Sequence, residues 1–558
     1  MSPAALLRFL KSGRCAISHA ILLTTSFFAG LGVLGIHQYQ TLTLDDLFNP
    51  SIQWIGYWIA CASVWYTSWL IWNISLSRFL KSDTESALRG DAVGYVPLAL
   101  ILGVWIKHMG LPASLFVIPA VAGFLAWKLR SVLTVLGSSL ATNARCTIVL
   151  GAGMTVFACA FSYYGALRFL AFRSFADFGL FVQQVWNFSN FDYFFRSGMG
   201  WLPFGNHFSP IILLLAPFYW IWENPITIIL IQNVVLALGA LPLYWLARDR
   251  YHLPIYGLAI GLCYLMYPAL QLPAMGDFHE SLLVATPVLF AFYYLQRKSY
   301  HSAWGFILLV LMCKEDTPFI VFMLGAYALV IQKDHRQGLS IMGGAVLWFV
   351  VSVGVIMPMS QGTENWYLQF LPSTGAGGTD AVTMMDRARS LVAHVFSAEH
   401  FVPLMQLLVP LGALSLLAPA EILIGVPTFL ELALYTGPPF GLVGTLKTWH
   451  VVALVPAFFI ATVFAIGKVS RSRFFSALQD NRTPGFLCLT YLLICGVGAT
   501  LSYGAFPLLP RSSSDIDVTT HDRIGHEVVA TIPPDVSVAT TSPLSAHLAH
   551  RRELYMLP

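Results

Sequence analysis

Four short groups of polar residues interrupt an otherwise apolar chain, and each has the residue types for acid–base or phosphate chemistry. The first is a long polar-aromatic stretch with Arg173, Asp177, Gln183, Gln184, Trp186, Asn187, Asp192, Arg196, Asn206 and His207. In FADFGLFVQQVW the polar positions 177, 183, 184 and 187 can share a helical face. Asp177 can serve there as a base, or equally as a plain helix N-terminal cap. The second group is Asp277-Phe278-His279-Glu280. Acid, imidazole and acid within four residues can bind a divalent cation or move a proton. The run matches no recognised metal signature, so a polar interfacial loop is the alternative, and a metal requirement stays unknown.

The third group is Lys314-Glu315-Asp316, either a surface turn or a buried ion network. The fourth is Lys447-Thr448-Trp449-His450. Lys447 can meet a phosphate and His450 can donate to it. A snorkelling lysine beside an interfacial tryptophan explains the same residues without function.

The elements that must position these groups are membrane helices. Of 558 residues, 57% are hydrophobic and 10% charged, with a mean hydropathy of +0.70. Soluble domains carry roughly 25% charged residues, so most of this surface must meet lipid. The net charge of +4 gives no sign of a nucleic-acid partner, because the basic residues lie in short clusters between apolar segments. The eight cysteines lack CxxC or metal-ligand spacing and read as small core residues.

By the rule of about 20 apolar residues per crossing, spans are expected at 19–36 (a retained signal anchor), 52–75, 92–107, 112–130 and 146–168. Further spans are expected at 225–247, 253–272, 281–296, 302–313, 317–332, 338–359, 402–418, 420–436, 450–467 and 485–507. Some are short, so thirteen to fifteen transmembrane helices is the expected number. A cytoplasmic N-terminus bearing Arg8, Lys11 and Arg14 places the later basic clusters inside. These include Arg248/Arg250, Arg297/Lys298, Lys333/Arg336 and Lys468/Arg471/Arg473. The agreement requires that 208–222 does not cross, so this Trp/Tyr-rich piece is expected to be juxtamembrane or re-entrant. All four polar groups then fall on the outer side. The chain after 508 also falls outside, with short strands expected at 535–540 and 553–557 around a helix at 543–551. It either packs on the membrane part or belongs to a larger domain.

No Walker A loop, no GxGxxG after a strand and no HExxH is present. The runs FADFGLFVQQVWN, GNHFSPIILLLAPFYWIW, IQNVVLALGALPLYWLAR, GDFHES and KEDTP, with the tail IPPDVSVATTSPLSAHLAHRRELYMLP, resemble a bacterial family of polytopic membrane proteins. It is the domain-of-unknown-function 2079 family, which looks related to the GT-C glycosyltransferases. The resemblance implies an all-α integral membrane protein with a GT-C-like core at 146–507. It also implies outer-face juxtamembrane helices and a small α/β extracytoplasmic tail at 508–558. An N-terminal extension of four transmembrane helices, 1–145, lies outside it. The implied setting is a multi-pass protein of the bacterial cytoplasmic membrane, within the cell envelope, with its active face extracytoplasmic.

The implied partners are membrane lipid and a polyprenyl-phosphate-linked sugar donor, with no nucleic acid. Asp177 and His207-Phe208-Ser209-Pro210 match the family's catalytic acid and juxtamembrane helix start. Asp177 is followed by Phe178 rather than by a second acid. On this reading Asp177 is the catalytic base. Lys314, Lys447 and His450 would meet the leaving phosphate. Gln184, His207, Asp277, His279, Glu280, Glu315 and Asp316 would shape the sugar or acceptor site. Whether the chain is an enzyme stays open at this point. The alternative is a non-enzymatic transporter or flippase of a lipid-linked or polar solute.

Overall fold

The computed structural model describes residues 114–123, 125–126, 142–195, 202–205, 207–361, 389, 392–395, 397, 400–434, 446, 448–472, 483–505 and 516–557. The expected spans at 19–36, 52–75 and 92–107, and Lys447, lie outside these residues. The chain divides into two compact units. One comprises 1–140 with 469–503, the other 141–468 with 504–558. In the first, a long helix (Thr483–Tyr503) meets the apolar helix Ser114–Gly123, where Gly498 lets Ile118 approach its backbone.

The second unit carries every candidate residue named above. Its described elements begin with α1 (Asn143–Leu170) and α2 (Ala176–Ser189). After a 3-10 turn and a single helical turn over 210–219 come α3 (Ile226–Leu238), α4 (Ala240–Tyr251), α5 (Pro254–Leu265) and α6 (Pro268–Ala274). Then follow α7 (Ala285–Gln296), α8 (Tyr300–Leu311), α9 (Pro318–Val330) and α10 (His335–Val351). The apolar chain adopts helix because only an internal ladder satisfies backbone N–H and C=O groups in hydrocarbon.

Five helices among the described residues are long and apolar enough to cross a membrane: Asn143–Leu170, Ile226–Tyr251, His335–Ser360, Trp449–Ser470 and Pro484–Tyr503. A sixth forms if α5 and α6, bent by 47°, count as one. The bend sits where Pro268 forces Tyr267 out of helical geometry. Other apolar helices, among them α8 and α9, are only 10–17 residues long. The ten residues Pro210–Tyr219 are too short to cross, which agrees with a juxtamembrane role for 208–222.

The stretch expected as two spans at 402–418 and 420–436 is instead broken into short pieces. Gly412 and Ala413 both take left-handed backbone there (φ 57° and 55°), and Pro410 and Pro419 flank them. Alanine resists that conformation, so packing rather than local preference fixes the break. Its last piece is α11 (Val426–Leu434), followed by α12 (Val455–Ser470).

The tail forms an amphipathic helix, α13 (Thr520–Ala530), closed at its start by a Thr519/Asp522 capping box. Two strands follow, Val538–Thr540 and Leu554–Met556, paired in parallel around the turn Ser542–Ser545. Two three-residue strands cannot stand alone. They pack on α2 and the end of α1: His547 stacks on Phe169 at 4.1 Å and bonds its carbonyl, and His526 bonds the Leu170 carbonyl at 2.8 Å.

The described chain is an all-α integral membrane protein apart from this strand pair. Its polar groups gather at opposite ends of the span Ile226–Tyr251. Gln232 belongs to the candidate site, whereas Arg248 and Arg297 share the Asp249 carboxylate at the other end. Sixteen residues of helix separate those ends by about 24 Å.

Candidate functional site

The site begins where α1 ends and α2 starts. Asp177 occupies the first turn of α2 and is half-buried. The helix start is fixed by a different acid. Asp277 Oδ2 accepts from the Phe175 N–H at 2.7 Å, bridging 102 residues of sequence. Burial pushes the Asp277 carboxyl above the usual range, and the nearby Asp177 charge adds to that. The Phe175 amide and Arg168 oppose it. The other Asp277 oxygen is buried with no hydrogen-bond partner.

One helical turn beyond Asp177, Phe181 sets its ring edge-on to Phe278 and His279, with centroids 5.4 and 5.1 Å away. Gln184 follows on the same face of α2, half-buried, its Oε1 without a partner. Positions 177, 181 and 184 line one side of the helix because successive residues advance about 100°.

Phe181 leads into a buried ionic assembly. Glu280, with no exposed surface, heads the 3-10 turn before α7, and His279 Nδ1 lies 2.9 Å from its Oε2. Burial works to raise the Glu280 carboxyl, but His279, His207 and Lys314 outweigh it and bring it down to about 2. His279 is held on three sides. Its backbone N–H donates to Gln232 Oε1 at 2.8 Å, Trp449 stacks on its ring at 4.1 Å, and Phe181 closes the edge.

His207 Nδ1 meets Glu315 Oε1 at 2.8 Å, and the Phe208 N–H donates to the second Glu315 oxygen at 2.9 Å. Burial depresses the His207 imidazole, but the Glu315 carboxylate more than reverses this and leaves its pKa raised. Burial likewise pushes Glu315 up, and His207 and Lys314 bring it below its ordinary value. The pair is therefore an imidazolium–carboxylate bridge tying the loop before Pro210 to the loop between α8 and α9.

Lys314 is equally buried and pairs with Asp316 at 2.7 Å. Burial alone would lower its ammonium, yet Asp316, Glu315, Glu431 and Glu280 hold it charged. Lys314, Asp316, Glu431 and His450 line a cavity of about 20 Å³ together with Ser281 and the two threonines Thr317 and Thr428. That volume admits one water. His450 sits 6.2 Å from the His279 ring and enters the assembly from the start of the span carrying α12.

The structure thus brings His207, His279, Glu280, Lys314, Glu315, Asp316 and His450 into one assembly, with Asp177 and Gln184 on the adjoining face of α2 and Asp277 bonded at its start. The Asp277–Glu280 run divides: Asp277 turns to Phe175, and Glu280 turns to the cations. Among the described residues no group of three or more His, Cys, Asp or Glu side chains is arranged to hold a metal ion. Sequence reasoning missed Gln232 and Glu431. Both interrupt apolar helices, and a polar group at such a depth usually faces a polar cavity.

Comparison with known proteins adds a family. No curated protein matches the chain. Among solved structures, ArnT from Cupriavidus metallidurans bound to undecaprenyl phosphate is similar over 74% of this chain and 85% of its own. Identity is 12% and the TM-score 0.42, a likeness too distant to assign anything to this chain. The family described as "Predicted membrane protein (DUF2079)" matches residues 171–558, from the residues before α2 to the end of the tail. The chain belongs to the DUF2079 family of membrane proteins.

Proposed function

We propose that this protein is a membrane glycosyltransferase that moves a sugar from a polyprenyl-phosphate carrier to an acceptor hydroxyl at the extracytoplasmic face. The observation that carries the reading is a half-buried acid in the first turn of α2 on the same helix face as Phe181, whose ring meets His279 of the buried cation–carboxylate assembly. The motif resemblance to GT-C enzymes at Asp177 and at His207-Phe208-Ser209-Pro210 points the same way. So does the charge walk that puts this end of the bundle outside.

In this mechanism Asp177 takes the proton of the acceptor hydroxyl as its oxygen attacks the anomeric carbon. The bond from that carbon to the carrier phosphate breaks, and the phosphate leaves with the electron pair. Lys314 and Lys447 supply the positive charge for it, and His450 offers a hydrogen-bond donor. Lys314 pairs with Asp316 and lies buried against the one-water cavity, so its charge would act on the phosphate across that space rather than by direct bonds. Asp316, His207 and Gln184, the partly exposed members, are suited to sugar or acceptor hydroxyls, while the buried Glu280, Glu315 and His279 would shape the site from behind them.

Most of the buried charge lies at one end, while at the other Glu421 is buried against Tyr327 and the Asp249 cluster is partly exposed; that imbalance favours a reaction site over a conduction pathway. A transporter would need polar groups continued to the opposite face. The test is Asp177→Asn in proteoliposomes supplied with a labelled polyprenyl-phosphate sugar and extracted envelope acceptors. Transfer should fall at least about 100-fold, with expression and unfolding midpoint unchanged. Full transfer by that variant would remove Asp177 from the role. Movement of labelled lipid across the bilayer without sugar transfer would replace the enzyme reading with the flippase one.

A further inference from the structure

The helix that carries Asp177 has a second occupied side. Asp177, Phe181 and Gln184 lie within roughly 60° of one another around α2. Gly179, Gln183 and Trp186 lie on the opposite side, about 180–240° away. The C-terminal tail fills that opposite side. Gln183, fully buried, donates through Nε2 to the carbonyls of Arg551 at 3.5 Å and Arg552 at 3.0 Å.

Gly179 faces Ser545 so closely that a Cβ there would lie 2.4–2.8 Å from three of its atoms, the backbone carbon included. No real Cβ tolerates such contacts, so the tail packs backbone to backbone on α2. Beyond these, His550 stacks over Trp186 with planes 11° apart, and Arg552 pairs with Asp192 at 3.0 Å.

We infer that the C-terminal tail is a positioning clamp for α2, and that Gly179 and Gln183 are positioning residues that hold the Asp177 face against the buried ionic assembly. The inference rests on the proposed role of Asp177 for its functional meaning, but its structural content stands apart from that role. The site side of α2 is held by few bonds. Phe181 makes ring contacts, Gln184 Oε1 has no partner among the described residues, and the Asp277–Phe175 bond ties the helix start. The tail shares the remaining fixation with the segment around 220–223, where Glu223 accepts from Trp186 Nε1 and Trp220 Nε1 donates to the Ser189 carbonyl, both at 2.8 Å.

The test uses the full chain in lipid nanodiscs and reads hydrogen exchange by peptide. Gly179→Ala should raise exchange in 176–189 at least tenfold while α3 and α4 keep wild-type protection. Adding Ser545→Gly removes two of the three clashing atoms and should recover much of the protection. Gln183→Leu, which removes the amide donor with one side-chain heavy atom fewer, should loosen the same peptide and guards against a Gly179→Ala chain that does not fold. In the transfer assay both single variants should lower kcat with KM for the lipid donor unchanged.

The inference is overturned if exchange rises in 516–557 while 176–189 stays as protected as in wild type. It is also overturned if all peptides loosen together. Retained transfer by Asp177→Asn would sink the catalytic reading alone, leaving the exchange coupling to be judged by itself.

Discussion

The His207–Glu315 bridge lets a perturbation be worked through quantitatively. Glu315 is 2% exposed and accepts from two donors, an imidazole at 2.8 Å and the Phe208 amide at 2.9 Å. Glu315→Ala strands a buried imidazolium, and breaking a buried ion pair from one side costs about 3–5 kcal/mol. The orphaned amide alone would cost about 1–3 kcal/mol, and the two losses overlap because one carboxylate serves both. Glu315→Gln keeps an acceptor for one donor and should cost about half as much.

The assay is denaturant unfolding of the purified protein in mixed micelles, arranged as a double-mutant cycle with His207→Ala. A coupling of about 1.5–3 kcal/mol is expected, as for a hydrogen bond to a charged group. The pH dependence has a definite sign. The raised imidazole contributes stability that is full below its ordinary pKa near 6.5 and is lost as pH rises through the raised value. The lowered carboxyl contributes stability that is full above about 4.5 and is lost as pH falls through its depressed value. The bridge therefore favours a window around neutral and mildly acidic pH, and Glu315→Ala should flatten both flanks. A loss under 1 kcal/mol, or equal costs for Ala and Gln, would refute the assignment of a buried bridge.

Removing the Asp277 acceptor should act on the start of α2. Asp277→Ala leaves the Phe175 N–H without its 2.7 Å partner, at about 1.5–3 kcal/mol, whereas Asp277→Asn keeps an acceptor. Exchange at 175–180 should rise in the first variant and stay near wild type in the second, and identical behaviour would count against a positioning bond. His547 offers a test at the other side of the helix. Burial, with the His526 ring 5.0 Å away, pushes its imidazole down to about 4, against the bond to the Phe169 carbonyl. Its contribution to tail docking is full above about pH 6.5 and falls away as pH drops toward 4. Exchange in 516–557, corrected for intrinsic rates, should grow over that interval. His547→Phe should remove the change, and a pH response persisting in that variant would assign it elsewhere.

The long spans were legible because their signal is local: 143–170, 226–251 and 335–360 are apolar over the full thickness of a bilayer. The two tail strands were legible for a related reason, since alternating residues between turn signals leave few other conformations. The broken stretch at 402–434 was not, because its left-handed Ala413 is imposed by packing that no window of sequence contains. Helix α13 also escaped notice. Its eleven residues carry a polar composition, and it docks through Gly525 and His526 on Phe172 and the Leu170 carbonyl while Ile524 and Val528 stay exposed.

Within the site, the residue types and their shared end of the bundle followed from charge placement. The pairings did not. His207 finds Glu315 across 108 residues and Asp277 finds Phe175 across 102, so proximity in space owed nothing to proximity in sequence. Glu431 sits in FLELAL, where a lone acid in an apolar run was the available sign.

The bond from Gln183 to the Arg551 carbonyl spans 368 residues. A ribosome adding about 5–20 residues per second needs roughly 20–70 s to cover that distance. During that interval α2 has emerged but lacks the surface that seats it. The helix bearing Asp177 therefore reaches its final position only after the last span is in the membrane. On the clamp reading, chains released early carry every one of the site's charged residues and still have no fixed site, so nascent and truncated copies are silent by construction.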